Sequence, residues 1–126
     1  MIVSDARVPA FAMANLNKRI VPPFTCLGIE RKGEVIGAVV FNNYERTDVH
    51  VTVAGSGWTR GFLRVVGKYV FGTLGCLRAT IVTEQDKVID LAQRLGGQTE
   101  GTLRNHFGPG RHGIVVGILR EDYRFG

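Results

Sequence analysis

Cysteine is scarce in this 126-residue sequence, and its scarcity limits the chemistry open to the protein. The two cysteines, Cys26 and Cys76, lie far apart and match neither a CxxC redox pair nor a set of zinc ligands. The three histidines are scattered and do not complete such a set. Because free cysteines are mostly buried, we expect both thiols to be reduced and to pack as small apolar side chains. We expect no metal site.

Long apolar runs are also lacking. No stretch reaches the roughly 18 uncharged apolar residues of a membrane-spanning helix, so we expect no membrane partner. Residues 1–7 do not show the charged and apolar regions of a secretory signal, and the expected compartment is therefore the cytoplasm. No segment repeats with a period of 20 to 50 residues, which disfavours a repeat architecture. A chain of 126 residues, 44% apolar, predicts one domain over residues 1–126.

Two features are present in excess. The formal net charge is +5, which suits a polyanionic partner such as a nucleic acid or a phosphorylated cofactor. Glycine occurs 17 times, against about nine expected from average usage. Both excesses point to the glycine-rich and basic segments as places to look for function.

The first half of the chain predicts one helix and three strands. A helix is expected to begin near Ser4 and Asp5 and to end before the Val21-Pro22-Pro23 cluster. Apolar runs at residues 24–31 and 34–42, joined by Lys32-Gly33, predict an antiparallel hairpin. Residues 48–53 alternate polar and apolar side chains, as in a half-buried strand.

The second half predicts two helices and three further strands. Helical spacing covers residues 58–74, where Gly61 and Gly67 indicate close packing or the approach of a ligand. The remaining predicted elements are a strand at 77–83, a helix at 86–95, a strand at 98–105, a loop at 107–111 and a strand at 114–122. The order predicts an α/β (α+β) fold with a mixed sheet and a central, right-handed βαβ unit.

A glycine-rich turn links the third predicted strand to the second predicted helix, at residues 54–60. Backbone N–H groups in such a turn, at a helix N-terminus, can point at a phosphate. The turn is neither a P-loop, which needs a Lys, nor GxGxxG, because Phe62 occupies the third glycine position. Two interpretations stay open: an anion site, or a turn that needs glycine for its geometry. Likewise Arg60, Arg64 and Lys68 form either a phosphate-binding face or a solvated basic face.

The three histidines are candidate functional residues, and His50 is the candidate for acid–base chemistry. His50 shares a face of its strand with Asp48 and Thr52, and a histidine is the commonest general base. A surface histidine without a catalytic role is the other interpretation. His106 and His112 flank the predicted Gly-Pro-Gly loop and are either acceptor contacts or solvated side chains. No nucleophilic triad is indicated.

The sequence resembles the GNAT superfamily of acyl-CoA-dependent N-acetyltransferases, on motifs spread over residues 33–122. The family pattern Q/R-x-x-G-x-G/A is matched at residues 52–57, with both glycines kept and Thr52 in place of Gln or Arg. The branch it most resembles contains the ribosomal-protein alanine acetyltransferases and small bacteriophage acetyltransferase-like proteins. Further similar segments are 69–71, 74–78, Gln85, Val88, Leu91, 94–97, 100–104 and 117–122.

The resemblance implies a GNAT-like mixed, splayed β-sheet flanked by helices, with acetyl-CoA (coenzyme A) as the cofactor. The sheet would split between residues 48–53 and 77–83, and the pantetheine would enter the split. The residues implied to bind the cofactor are Val51, Thr52 and Val53 for the pantetheine, Gly55, Ser56, Gly57, Trp58, Thr59 and Arg60 for the pyrophosphate, and Gln85.

The resemblance also bears on catalysis. The family tyrosine that protonates the leaving thiolate corresponds to Ala92, so the usual general acid is missing. We take His50 and Asp48 as the catalytic residues, His50 acting as the base directly or through water. Backbone N–H groups near Val53 would polarise the thioester carbonyl. The residues expected to line the acceptor site are Glu30, Asn42 and Tyr44.

The leading functional prediction is transfer of an acetyl group from acetyl-CoA to a primary amine of a small molecule or protein, by direct attack in a ternary complex. A catalytically inactive GNAT-fold binding or regulatory protein is the alternative, favoured by Ala92 and Thr52. Nucleic acid is not expected as a partner, because no interleaved aromatic and basic signature accompanies the positive charge. A homodimer could complete the acceptor cleft of so short a chain. The bacteriophage resemblance would place the protein in the host cytoplasm.

Overall fold

The computed structural model describes residues 1–125, and within them seven strands form one sheet in the order β1-β2-β3-β4-β5-β7-β6. All neighbouring strands are antiparallel except β4 and β5, which are parallel. The predicted mixed α/β architecture is therefore confirmed. The elements are β1 (Ile2–Val3), α1 (Arg7–Leu16), β2 (Phe24–Arg31), β3 (Glu34–Asn42), β4 (Asp48–Gly55), α2 (Arg60–Gly67), a π-helix (Lys68–Thr73), β5 (Arg78–Thr83), α3 (Asp86–Arg94), β6 (Gln98–Gly108), β7 (Arg111–Leu119) and a final 3-10 turn (Arg120–Asp122).

The sheet has a core on each face. Helix α1 covers one face, where Val8 and Ala12 pack with Ala38, Val40 and Ala54. Helices α2 and α3 and the π-helix cover the other face, where the larger core lies. Successive residues of a strand point to opposite faces, so β4 contributes to both cores. Within residues 1–125 no helix is long and apolar enough to cross a membrane.

The split predicted between the two parallel strands is present. The β4–β5 ladder consists of the pairs Asp48↔Arg78, Val49↔Ala79 and His50↔Thr80. Beyond these pairs, β4 continues with β3 as far as Gly37↔Gly55, and β5 continues with β7. The two parallel strands thus separate after His50, and the backbone edge of β4 that faces β5 loses its ladder partner.

Three predicted boundaries are wrong. The loop expected at 107–111 is a tight turn at Pro109-Gly110, because β6 extends to Gly108 and β7 begins at Arg111. The last strand ends at Leu119, where the 3-10 turn begins. The helix expected over 58–74 begins at Arg60 and continues as a π-helix from Lys68.

The start of the chain also differs from the prediction. Helix α1 begins at Arg7, next to the predicted start, and the Asp5 carboxylate accepts hydrogen bonds from Arg7 N–H at 3.0 Å and from Arg7 Nε at 2.9 Å. Ile2 and Val3 form β1, which the sequence did not indicate, by pairing with Ile29 and Gly28. A two-residue strand is too short to show an alternating pattern, so the sequence alone does not indicate it.

Candidate functional site

A cavity of about 470 Å³ lies where β4 and β5 separate. We call it the split cleft. The end of α1 and the β6–β7 hairpin form its rim, and the two parallel strands form its floor. Its lining residues are Asn15, Leu16, Asn17, Lys18, Thr52, Val53, Ile81, Val82, Thr83, Glu84, Gln85, Val88, His106, Phe107 and Arg111.

A second cavity, of about 730 Å³, lies beside the first, and we call it the side cavity. Lys18 and Thr52 line both cavities, so the two spaces meet at these residues. Asn42 and Tyr44, expected at the acceptor site, line the side cavity, whereas Glu30 lines neither and is paired with Arg7 at 2.6 Å. The lining residues of the side cavity are Lys18, Arg19, Ile20, Val21, Pro22, Pro23, Phe24, Thr25, Phe41, Asn42, Asn43, Tyr44, Val49, Thr52, Tyr69 and Leu74.

The glycine turn, residues 55–60, requires glycine for its geometry. Gly55 and Gly57 have φ values of 86° and 92°, a region that disfavours other residues. A Cβ at Gly55 would collide with the carbonyl oxygen of Ile36, and one at Gly57 would lie 2.6 Å from Ile36 Cδ1. Ser56 N–H donates to that same Ile36 carbonyl at 2.9 Å. The turn is thus pressed against β3.

The same turn offers unused backbone donors. Thr59 caps α2 by accepting a hydrogen bond from Phe62 N–H at 3.1 Å. Within residues 1–125, the N–H groups of residues 57–61 donate to no protein acceptor. Five consecutive donors at a helix N-terminus suit a phosphate. The structural and anion-binding interpretations of this turn are therefore compatible.

Arg31 is a basic residue near the turn that the sequence analysis missed. Its Nη2 atom lies 3.8 Å from the Cβ position of Gly57, and its side chain forms no ion pair within residues 1–125. Arg31 ends β2, and only the sheet brings it to the turn. Arg60 lies over the ring of Phe125, 5.8 Å from its centroid, while Arg64 and Lys68 are exposed.

The structure does not join Asp48 and His50 into a catalytic pair. The Asp48 carboxylate accepts a hydrogen bond from Thr80 Oγ1 at 2.8 Å and lies 3.7 Å from Arg78 Nε. Arg78 also binds Glu100 at 2.6 Å, so Asp48 belongs to a polar network across β4, β5 and β6. His50 is half-buried, makes no side-chain hydrogen bond within residues 1–125 and lines neither cavity.

The other two histidines lie on strands, not in the predicted loop. His106, on β6, lines the split cleft, and its ring packs edge-on against Phe107 with centroids 4.8 Å apart. His112, on β7, is held by accepting a hydrogen bond from Asn105 N–H at Nδ1, at 2.9 Å. His106 is thus the histidine that lines the cleft, and the sequence had offered it, with His112, as a candidate acceptor contact.

The residues around the start of α3 form one end of the split cleft. Gln85 lines the cleft and its N–H donates to Thr83 Oγ1 at 3.0 Å. Glu84 pairs with Arg111 across the cleft, and this guanidinium lowers the pKa of the Glu84 carboxyl. Ala92, which the resemblance matches to the family tyrosine, is 1% exposed and belongs to the core. No proton donor replaces it from that position.

Tyr69 is a further hydroxyl beside the side cavity. Its ring packs on Phe41, with centroids 4.8 Å apart, and its hydroxyl shares a 2.6 Å hydrogen bond with Thr25 Oγ1. Both contacts come from strands, so the spacing of the π-helix alone could not indicate them. The described residues contain no group of three or more His, Cys, Asp or Glu side chains that could hold a metal ion.

Comparison with known proteins gives a match in structure but not in sequence. No family model and no curated protein matches the chain. A mutant form of the spermidine/spermine N-acetyltransferase SpeG from Vibrio cholerae superposes with a TM-score of 0.76 at 14% identity, covering 98% of this chain and 96% of that chain. Another mutant of this spermidine N-acetyltransferase gives 0.74 at 14% identity, with the same coverage.

The dodecameric structure of the spermidine N-acetyltransferase from Vibrio cholerae, in an intermediate state, is similar as well. Its TM-score is 0.73 at 15% identity, covering 96% of this chain and 94% of that chain. These names do not bear on the narrower resemblance to ribosomal-protein and bacteriophage enzymes, which stays a prediction. The chain therefore has the GNAT fold, a mixed sheet split between two parallel strands and flanked by helices on both faces.

Proposed function

We propose that this protein is an N-acetyltransferase that transfers an acetyl group from acetyl-CoA to a primary amine. One observation carries the proposal: the split between β4 and β5 lies next to five consecutive N–H groups, those of residues 57–61, that donate to no acceptor within residues 1–125. The gap between two separated parallel strands can hold an extended chain, and free N–H groups can bind an anion. Acetyl-CoA combines both parts in one molecule. The fold shared with N-acetyltransferases supports the same assignment.

The residues present fit this cofactor. The N–H groups of residues 57–61 and the Arg31 guanidinium would hold the pyrophosphate. The unpaired backbone edge of Val51, Thr52 and Val53 would hold the pantetheine, with Gln85 at the opposite wall of the split cleft. When bound, acetyl-CoA supplies the activated acyl carbon.

The acceptor amine reacts in its neutral form, within a ternary complex. Its nitrogen bonds to the acetyl carbon, the carbon–sulfur bond breaks, the nitrogen loses a proton, and the thiolate takes one up on leaving. The acceptor ammonium must therefore lose a proton before its nitrogen attacks. The proton then passes to water or to a histidine. His106 lines the cleft and His50 does not, so His106 is the better placed of the two.

The catalytically inactive alternative has an observation of its own. Ala92 is buried in the core, and no tyrosine takes its place beside the cleft. A protein that binds acetyl-CoA without turnover needs the turn and the split but no proton donor. Positioning of an amine against a thioester can by itself supply several kcal/mol of the barrier reduction, and for that reason we favour the enzyme.

Calorimetric titration with acetyl-CoA, followed by a thiol-release assay over an amine panel, tests the proposal. We expect saturable binding and time-dependent thiol release with at least one amine. In Gly57→Ala, the φ of 92° is one that alanine rarely adopts, so the turn and its N–H groups should shift and affinity should fall by tenfold or more. Gly75→Ala changes another positive-φ glycine that lines neither cavity, so it is the control and should bind normally.

The outcomes separate the two candidates. Absence of heat and of thermal protection at millimolar acetyl-CoA would rule out both. Binding without acetylation of any amine, unchanged in His106→Gln and His50→Gln, would establish the inactive binding protein instead of the enzyme.

A further inference from the structure

We propose that the acceptor is an amine that also carries an anionic group on an apolar body, and that polyamines are excluded. This inference rests on the proposed function and names the substrate class of the same site. The structurally similar enzymes are named for spermidine, a polycation. The charges that line the two cavities of this chain are unsuited to such a molecule.

The side cavity is positively charged. Lys18 and Arg19 line it, and no Asp or Glu among residues 1–125 does. Neither cation forms an ion pair with another described residue. Both side chains are exposed at the cavity mouth, where they would attract a carboxylate or phosphate and repel a polycation.

The split cleft supplies no free carboxylate either. Among residues 1–125, Glu84 is the one acidic residue that lines it, and Glu84 is already paired with Arg111. A polyamine would have to break this pair to gain a single negative partner. Its remaining charges would face Lys18 and would be desolvated without compensation.

Lys18 lines both cavities and lies where they meet. Its Nζ lies 5.6 Å from the centroid of the Phe107 ring, a cation–π contact that links the segment after α1 to the β6–β7 hairpin. Thr52, on the floor at the same junction, is next to the strand edge expected to hold the pantetheine. An anionic group bound at Lys18 and Arg19 would therefore leave its amine near the site of acyl transfer.

The side chains that line the side cavity indicate which kind of molecule carries the amine and the anionic group. Pro22, Pro23, Phe24, Phe41 and Tyr69 present an apolar and aromatic surface. Such walls contribute to binding by burying apolar area, at roughly 25 cal/mol per Å². A linear polyamine offers little such area between its charges. An amino-acid-like amine with an aromatic side chain fits both the walls and the charges.

The experiment compares matched amines. L-Phenylalanine and phenethylamine share a ring and an amine and differ by one carboxylate, and spermidine is the polycation. With acetyl-CoA saturating, we expect kcat/KM for phenylalanine to exceed that for each of the other two by at least tenfold. The double variant Lys18→Gln, Arg19→Gln should cut the phenylalanine-to-phenethylamine ratio at least fivefold. Arg104→Gln removes an exposed cation from β6 that lines neither cavity and should leave the ratio unchanged.

Comparing this ratio between wild type and variant cancels the intrinsic difference in reactivity of the two amines. Preference for spermidine, or a ratio that the double variant does not change, would overturn the inference while leaving the acetyltransferase intact. Binding of acetyl-CoA with no acetylation of any amine would overturn the proposed function, and this inference with it.

Discussion

Gly67 lies in α2 at a point where the ring of Tyr123 covers the backbone. A Cβ at this position would collide with Tyr123 Cε2, so the glycine permits the close approach that its place inside a predicted helix indicated. Gly61, in the same helix, has nothing within 4 Å of its Cβ position. The two glycines therefore make a matched pair: one is required by packing and the other is not.

We expect Gly67→Ala and Gly61→Ala to change stability in opposite directions. Overpacking against Tyr123 should lower the free energy of unfolding of Gly67→Ala by about 1–3 kcal/mol. Gly61→Ala should raise it by up to about 1 kcal/mol, because alanine loses less backbone entropy in a helix. Urea unfolding followed by circular dichroism measures both. Equal effects of the two substitutions would show that Tyr123 does not press on α2.

Asp48 and His50 illustrate which properties of a single residue can be predicted from the sequence. The alternation of β4 correctly placed both side chains on one face, because a period of two follows from strand geometry alone. The partners of Asp48 could not be foreseen, since Thr80 and Arg78 reach it only through the parallel pairing of β4 and β5. Arg31 was missed for the same reason: the sheet, and not the local sequence, brings it to the glycine turn.

At the scale of elements, Tyr123, which follows the final 3-10 turn, packs against α2 and the π-helix. The Tyr123 hydroxyl donates a hydrogen bond of 2.5 Å to the Leu63 carbonyl, and its ring packs on Phe71 with centroids 5.4 Å apart. Burial raises the pKa of Tyr123 to about 12. The contact holds the helix whose N-terminus is proposed to bind the pyrophosphate.

This raised pKa makes stability depend on pH. The unfolded chain releases the Tyr123 proton near pH 10, below the folded pKa of about 12. The contribution of Tyr123 is therefore fully present below pH 10 and is lost as the pH rises toward 12. We expect wild type to be more stable than Tyr123→Phe at pH 8 and this difference to shrink between pH 10 and 12. Urea midpoints at several pH values measure it, and two parallel pH curves would contradict it.

Elements with a clear periodic pattern of apolar residues were predicted well, whereas elements whose bounds depend on pairing with another strand were not. Strands β2 and β3 have the predicted bounds, because an alternating or apolar run ends in a turn at each side. The β6–β7 hairpin was misread, since its Gly-Pro-Gly segment is typical of a loop, yet Gly108 pairs with Arg111. The π-helix after α2 replaces four-residue spacing by five, as in Leu74 N–H donating to Tyr69 O at 2.8 Å.

At the scale of the whole molecule, four of the 16 basic residues lie at the two proposed anion sites. Arg31 and Arg60 lie around the glycine turn, where phosphates are expected, and Lys18 and Arg19 lie at the side cavity. The composition alone indicated an anionic partner but not its position. The two regions imply two anions: the phosphates of the cofactor and the anionic group of the acceptor.

The salt dependence of acetyl-CoA binding tests the first region. Arg31→Gln removes an exposed guanidinium beside the turn that forms no ion pair within residues 1–125, and we expect it to weaken binding about three- to tenfold at low ionic strength. At 1 M salt the Debye length is about 3 Å, so the difference from wild type should shrink. Residual binding at high salt comes from the backbone N–H groups, which both proteins keep.

The control variant Arg104→Gln lowers the net charge by the same amount, but on β6, away from the glycine turn. If it weakened binding as much as Arg31→Gln does, overall charge and not the position of Arg31 would be responsible.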